Sequence, residues 1–108
     1  MAQTLVELGR RVHEWALRKG WEPDPQRTFG DECALLHSEV SEALEAYRDH
    51  RFDDPGGFKP SGVAAEFADV LIRLVHYSHV HGFDLDAEVA RKMAYNETRR
   101  YRHGGRTL

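Results

Sequence analysis

Apolar residues recur at three- and four-residue spacing in four stretches of this chain, and no run alternates with period two over a strand's length. The first stretch predicts a helix from about Thr4 to Lys19, with Leu5, Leu8, Val12, Trp15 and Ala16 on its core stripe and Gly20 as its C-terminal cap. Trp21-Glu22-Pro23-Asp24-Pro25 follows, a connection whose prolines cannot continue a helix. Thr28, with Asp31 three residues on, resembles a capping box that opens a second helix. That helix is expected to run to Tyr47 or Arg48, with Leu36, Val40, Ala43, Leu44 and Tyr47 facing the core. The stretch from Asp49 to Pro60 contains Asp-Asp-Pro-Gly-Gly and reads as a loop. Ser61 is placed as the N-cap of a third helix ending at His81 before Gly82, with Val63, Phe67, Val70, Leu71, Leu74 and Val75 inward. A fourth helix is expected from Asp84 or Asp86 to about Tyr101, leaving His103-Gly104-Gly105-Arg106 as a tail. The expected architecture is an all-α four-helix bundle with short connections.

Composition narrows the class without changing that picture. A chain of 108 residues makes one domain with room for a modest core. A formal net charge of −3 argues against nonspecific nucleic-acid binding, although the last ten residues are locally basic. No apolar run approaches the roughly 20 residues of a membrane helix, and the N-terminus lacks the n- and h-regions of a signal peptide. Cys33 is the single cysteine and cannot form an internal disulfide, so a reducing, cytoplasmic setting is expected. At the start of the second helix it reads as a small packed residue, and Trp15 reads as core.

Chemistry enters with two short acidic repeats. Glu39-x-x-Glu42 lies in LLHSEVSEALEAYR and Glu66-x-x-Asp69 in GVAAEFADVLIRLVHY. An i, i+3 spacing stacks two side chains one turn apart on the same face, here beside the apolar stripe of each helix. Two such pairs on neighbouring helices would crowd carboxylates until some took up protons or a cation sat among them. An all-oxygen set suits a hard divalent cation that keeps waters and phosphates in its shell, so Mg²⁺ is expected first. Arg73 and His76 continue the second acidic face, and Arg73 is placed to hold a phosphate oxygen or to pair with Asp69. Lys92, Asn96 and Arg99 share one face of the fourth helix and suit a phosphate chain and a sugar, or form a basic solvent face. Trp21 is placed to stack on a base or to plug the bundle end. Zinc on His76, His79 and His81 is set aside because His81 points away from the other two, and a di-iron centre because the Glu-x-x-His pairs are missing.

This order of elements resembles the MazG-like all-α nucleoside triphosphate pyrophosphohydrolases, in LLHSEVSEALEA, EFADVLIRL and KMAYNETRRYRHGG and over most of the chain from Trp21 to Arg106. One departure is Ser38, where members of that family often carry a further Glu. The resemblance implies hydrolysis of a nucleoside triphosphate to monophosphate and pyrophosphate with Mg²⁺ or Mn²⁺, a house-cleaning task in the nucleotide pool. It implies Glu39, Glu42, Glu66 and Asp69 as metal ligands, with Glu39 or Glu42 also orienting or deprotonating the attacking water. Lys92 and Asn96 would contact phosphate or sugar, with Arg73 and Arg99 as further candidates. It also implies homodimers or homotetramers, with sites near subunit interfaces. The alternatives weighed are a phosphoribosyl-ATP pyrophosphohydrolase-like enzyme and a non-catalytic helical module, such as a phage or toxin-system accessory, that kept the bundle.

Overall fold

The computed structural model describes residues 3–52 and 59–99, and within them the chain is all-helical: α1 Leu5–Arg18, α2 Phe29–Arg48, α3 Val63–Val80 and α4 Leu85–Glu97. The predicted turn at 53–58, the end of the fourth helix at Tyr101 and the tail at 103–106 reach outside the described residues. No helix is long and apolar enough to cross a membrane.

Local signals account for most helix ends. The Thr4 hydroxyl accepts from the Glu7 N–H at the start of α1, and Gly20, at φ 77°, follows its last turn. Thr28 and Asp31 form the expected reciprocal capping box, with the Asp31 N–H donating to Thr28 at 3.1 Å and the Thr28 N–H to Asp31 at 2.9 Å. Two ends differ from expectation. Ser61 does not cap α3, because the helix begins one residue later behind Gly62 at φ 101°. The first free N–H groups there find backbone acceptors instead: Val63 donates to Arg51 at 2.8 Å and Ala64 to Phe52 at 3.2 Å. At the other end, α4 stops at Glu97, where Thr98 and Arg99 turn back onto Tyr95 and Asn96.

Packing is built on α3, which lies against α1 and α2, while α4 leans on α1. The Asp86 carboxylate of α4 accepts from the Leu5 and Val6 N–H groups at 3.0 and 2.9 Å, capping α1 from a distant element. Gly9 lets α1 approach α3 closely, since a Cβ there would run into the Val75 carbonyl. The buried apolar core is narrow: Ala16, Ala43, Ala46, Val75 and Tyr77.

That core overturns part of the expected stripes. Val40, Leu44 and Tyr47 of α2 and Phe67, Leu71 and Leu74 of α3 are exposed in the single chain, with Val40 at 54% and Phe67 at 61%. Trp15 is also at the surface instead of in the core. Small residues and carboxylates line the closest approach of the helices, so Glu32 and Glu39 of α2 turn inward and its large apolar residues look out.

Candidate active site

Glu39 projects from the middle of α2 towards α3 and is 7% exposed. One turn on, Glu42 reaches the same point from the surface, and Glu66 meets both from the first turn of α3. Ligand-capable oxygens of Glu39, Glu42 and Glu66 lie within 4.8 Å of one another. Glu39 Oε1 accepts from Arg73 Nε at 2.7 Å, and Arg73 also donates to the Tyr77 hydroxyl at 3.1 Å. The other oxygen of Glu39 and Oε2 of Glu66 are buried without a partner among the described residues. Burying such groups without a hydrogen bond is expensive, which sets these two oxygens apart from the paired carboxylates.

The titration behaviour follows from this crowding. The Glu42 carboxyl is raised above its ordinary range, first by the charge on Glu39, then by desolvation and Glu66. Asp69 is raised by desolvation and then by Glu39, while Arg73 and Lys59 pull the other way. Asp69 thus feels the cluster and shares its cleft with Glu39 and Arg73, but it is not one of the three residues whose oxygens converge. An all-oxygen donor set with unpartnered, partly buried carboxylates fits a hard cation and would not suit a soft one.

Glu39 of this cluster, with Asp69 and Arg73, lines a cleft of ≈ 870 Å³ between α1, α2 and α3. Trp15 and Trp21 also line the cleft, edge to face with ring centroids 4.6 Å apart. Trp21 is 62% exposed, so it edges the cleft and plugs nothing. Of the other sequence candidates, Arg73 reaches the cluster directly. Lys92, Asn96 and Arg99 sit on or just after α4, fully on the surface, and do not line this cleft within one chain; Lys92 rests over the Tyr95 ring at 5.6 Å.

Sequence reasoning missed a second set of polar groups along the same cleft. Arg27 pairs with Glu22 and, at 3.2 Å, with Glu32, whose other oxygen meets His81 Nε2 at 2.6 Å. Arg27 also lies over the Tyr77 ring at 5.4 Å. His13 of α1 and His76 of α3 face each other with Nδ1 and Nε2 3.2 Å apart, and His76 Nε2 is 3.5 Å from Glu22. Burial holds His76 below the usual imidazole range, Glu22 opposes this, and the neighbouring His13, Arg27 and His79 reinforce it. Only the Pro-rich connection hinted at Glu22, and no spacing rule links it to residues 9 positions before and 54 after.

Against known proteins, the chain is 31% identical over 96 residues to a protein of Salmonella phage PMBT28 named dATP/dGTP diphosphohydrolase. The match takes in 89% of this chain and 27% of that protein, so the chain spans about a quarter of the length of the curated relative it matches. No family profile matches the chain, and no solved structure matches it.

Proposed function

We propose that this chain is a divalent-cation-dependent nucleotide pyrophosphohydrolase that hydrolyses a nucleoside triphosphate to the monophosphate and pyrophosphate. The observation that carries the reading is the convergence of Glu39, Glu42 and Glu66 with two buried, unpartnered oxygens beside a cleft of nucleotide size. The name of the phage relative, a dATP/dGTP diphosphohydrolase, supports the same reaction class and makes purine deoxynucleotides the first substrates to try.

Glu39, Glu42, Glu66 and Asp69 are the residues that would hold Mg²⁺ or Mn²⁺. A divalent ion bound there would supply charge neutralisation on the phosphate oxygens, which is most of what phosphoryl transfer requires. The chain's own groups divide the remaining work. Arg73 fixes Glu39 in place and extends a cation along the cleft wall. Glu42 is the exposed member of the cluster, so it is the one placed to orient the attacking water and take its proton. Trp15 and Trp21 offer aromatic surface for the base along the same cleft.

The reading includes self-association. Apolar stripes on α2 and α3 that face solvent in one chain are what a homodimer would cover, and a second copy is the natural source of Lys92, Asn96 and Arg99 for phosphate or sugar. Phosphorus NMR of dATP, dGTP and the other nucleoside triphosphates, with Mg²⁺ or Mn²⁺, tests the activity. Monophosphate and pyrophosphate are expected in equal amounts, and stable triphosphate throughout the panel would remove the proposal. Light scattering of Leu44→Glu tests association: a shift to monomer is expected, and an unchanged mass would separate the apolar face from assembly.

A further inference from the structure

We propose that His13, Glu22 and His76 form a second metal site, separate from the carboxylate cluster, for a divalent transition metal of the zinc type. Three elements contribute: α1, the Pro-rich connection and α3. Their ligand atoms lie within 4.8 Å of one another.

The geometry argues against an ordinary hydrogen-bond pair. His76 Nε2 is 3.2 Å from His13 Nδ1 and 3.5 Å from Glu22 Oε1. One imidazole nitrogen carries either a single proton or a single lone pair. If it donates, one proton must serve both the Glu22 oxygen and the His13 nitrogen in a single bifurcated bond. If it accepts from His13, it turns a lone pair towards a carboxylate. A cation at the centre satisfies all three groups at once. Two donors each about 2.05 Å from a tetrahedral ion are about 3.3 Å apart, close to both separations seen here.

The donor set and its surroundings define the class of ion. Two imidazoles and one carboxylate select zinc-like ions over Mg²⁺, which wants oxygen ligands. Arg27 donates to the same Glu22 oxygen that faces His76 and so fixes the orientation of that carboxylate, as ligating carboxylates are commonly held. Glu22 and His76 both line the ≈ 870 Å³ cleft, so the fourth position faces it. Three protein ligands with one open position is the pattern of a reactive or exchangeable site, not a closed structural one. The ion would also tie α1 to α3, adding to the contacts at Gly9 and Val75.

Cobalt provides the test, because four-coordinate Co²⁺ absorbs visible light far more strongly than six-coordinate Co²⁺. Titration of the full chain with Co²⁺ alone should give intense visible bands saturating at one equivalent, displaced by Zn²⁺ and not by excess Mg²⁺. His13→Ala and Glu22→Gln should each weaken binding at least tenfold, while Glu66→Gln should leave it unchanged. Long-range ¹H–¹⁵N spectra of the unmutated protein give a readout that does not depend on any variant folding: Zn²⁺ should shift the ring nitrogens of His13 and His76 together. Weak six-coordinate bands, loss of the signal with Glu66→Gln in place of His13→Ala, or histidine spectra unmoved by Zn²⁺ would each overturn the assignment and leave a shared hydrogen bond among the three groups.

Discussion

Two groups of carboxylates reach the cleft, one through Glu22 and one through Glu39, and the two sides solve the same electrostatic problem in opposite ways. Beside α1 and the connection, Glu22 and Glu32 are each 5% exposed at the side chain, and Arg27 sits between them with His81 on the far oxygen of Glu32. Between α2 and α3, Glu39, Glu42 and Glu66 gather with Arg73 paired to a single oxygen, and two buried oxygens have no partner among the described residues. The first arrangement carries its counter-charge within the chain and works as a latch between the connection, α2 and the end of α3. The second leaves negative charge in excess, which the proposed divalent cation would neutralise. A buried acid is thus a structural feature or a functional one according to who supplies the positive charge.

Activity should break this comparison most sharply. Glu66→Gln or Asp69→Asn removes negative charge from the crowded side, where the proposed reaction needs it. A loss of about a thousandfold in kcat is expected, in line with removal of a preorganised electrostatic group. The fold should be retained and the metal-free protein should melt no lower than wild type, because the change relieves repulsion. Phosphate release and thermal melts on the same preparations check both halves. A variant with undiminished turnover would place the chemistry elsewhere.

The opposite substitution belongs to the latch. Arg27→Ala strands two buried carboxylates without a cation and should destabilise the chain by about 3 kcal/mol, as breaking buried pairs commonly does. Denaturant midpoints read this directly. Arg73→Ala, whose guanidinium is partly exposed, should destabilise much less and should act mainly on turnover. Equal losses of stability from the two arginines would erase the distinction between the two sides.

Divalent cations should separate the sides without any mutation. Mg²⁺ or Mn²⁺ at 100 times its Kd raises folding stability by about 2.7 kcal/mol through mass action, provided it binds the folded state alone. The gain should persist in Arg27→Ala and vanish in Glu66→Gln. Calorimetric melts with and without the ion measure it.

Helix existence and most helix ends were legible in the sequence because their signals are local. Thr28 with Asp31, Gly20 and Gly82 act within a few residues of where they stand, and the structure uses each as expected. The face each helix buries was not legible for α2 and much of α3. Hydrophobic periodicity weights Val40, Leu44, Tyr47 and Phe67, whereas close helix approach keeps only Ala43 of the expected α2 stripe buried and adds Ala46 and Gly9. Which side of an amphipathic helix turns inward depends on its partner, and a second copy of the chain is a partner that periodicity cannot see. The acidic residues were found because i, i+3 spacing on one helix is a local pattern. Asp69 was grouped with them by the same spacing, yet the convergence in space stops at Glu66. His13, Glu22 and His76 come together only through tertiary packing, so no motif announced them.

The smallest effect expected is in the pH dependence of stability. Glu42 has its carboxyl raised above 4.5, chiefly by the charge of Glu39, so the folded chain holds that proton more tightly than the unfolded chain does. Between 4.5 and the raised value the folded state therefore binds more protons, and stability falls as pH rises through that window. His76 contributes with the opposite sign, because its folded value lies below 6.5 and stability rises with pH towards that point. The comparison must therefore be made between wild type and Glu42→Gln, where the His76 contribution is common to both and cancels. Without divalent ions, the melting temperature of wild type relative to Glu42→Gln should decline as the pH rises from 4.5 through the raised value of Glu42. With saturating Mg²⁺ the sign should reverse, since the ion binds the deprotonated carboxylate and is lost as the pH falls. A flat metal-free difference would mean that Glu42 does not feel Glu39 and Glu66, and the crowded side would then be no different from any solvated acidic face.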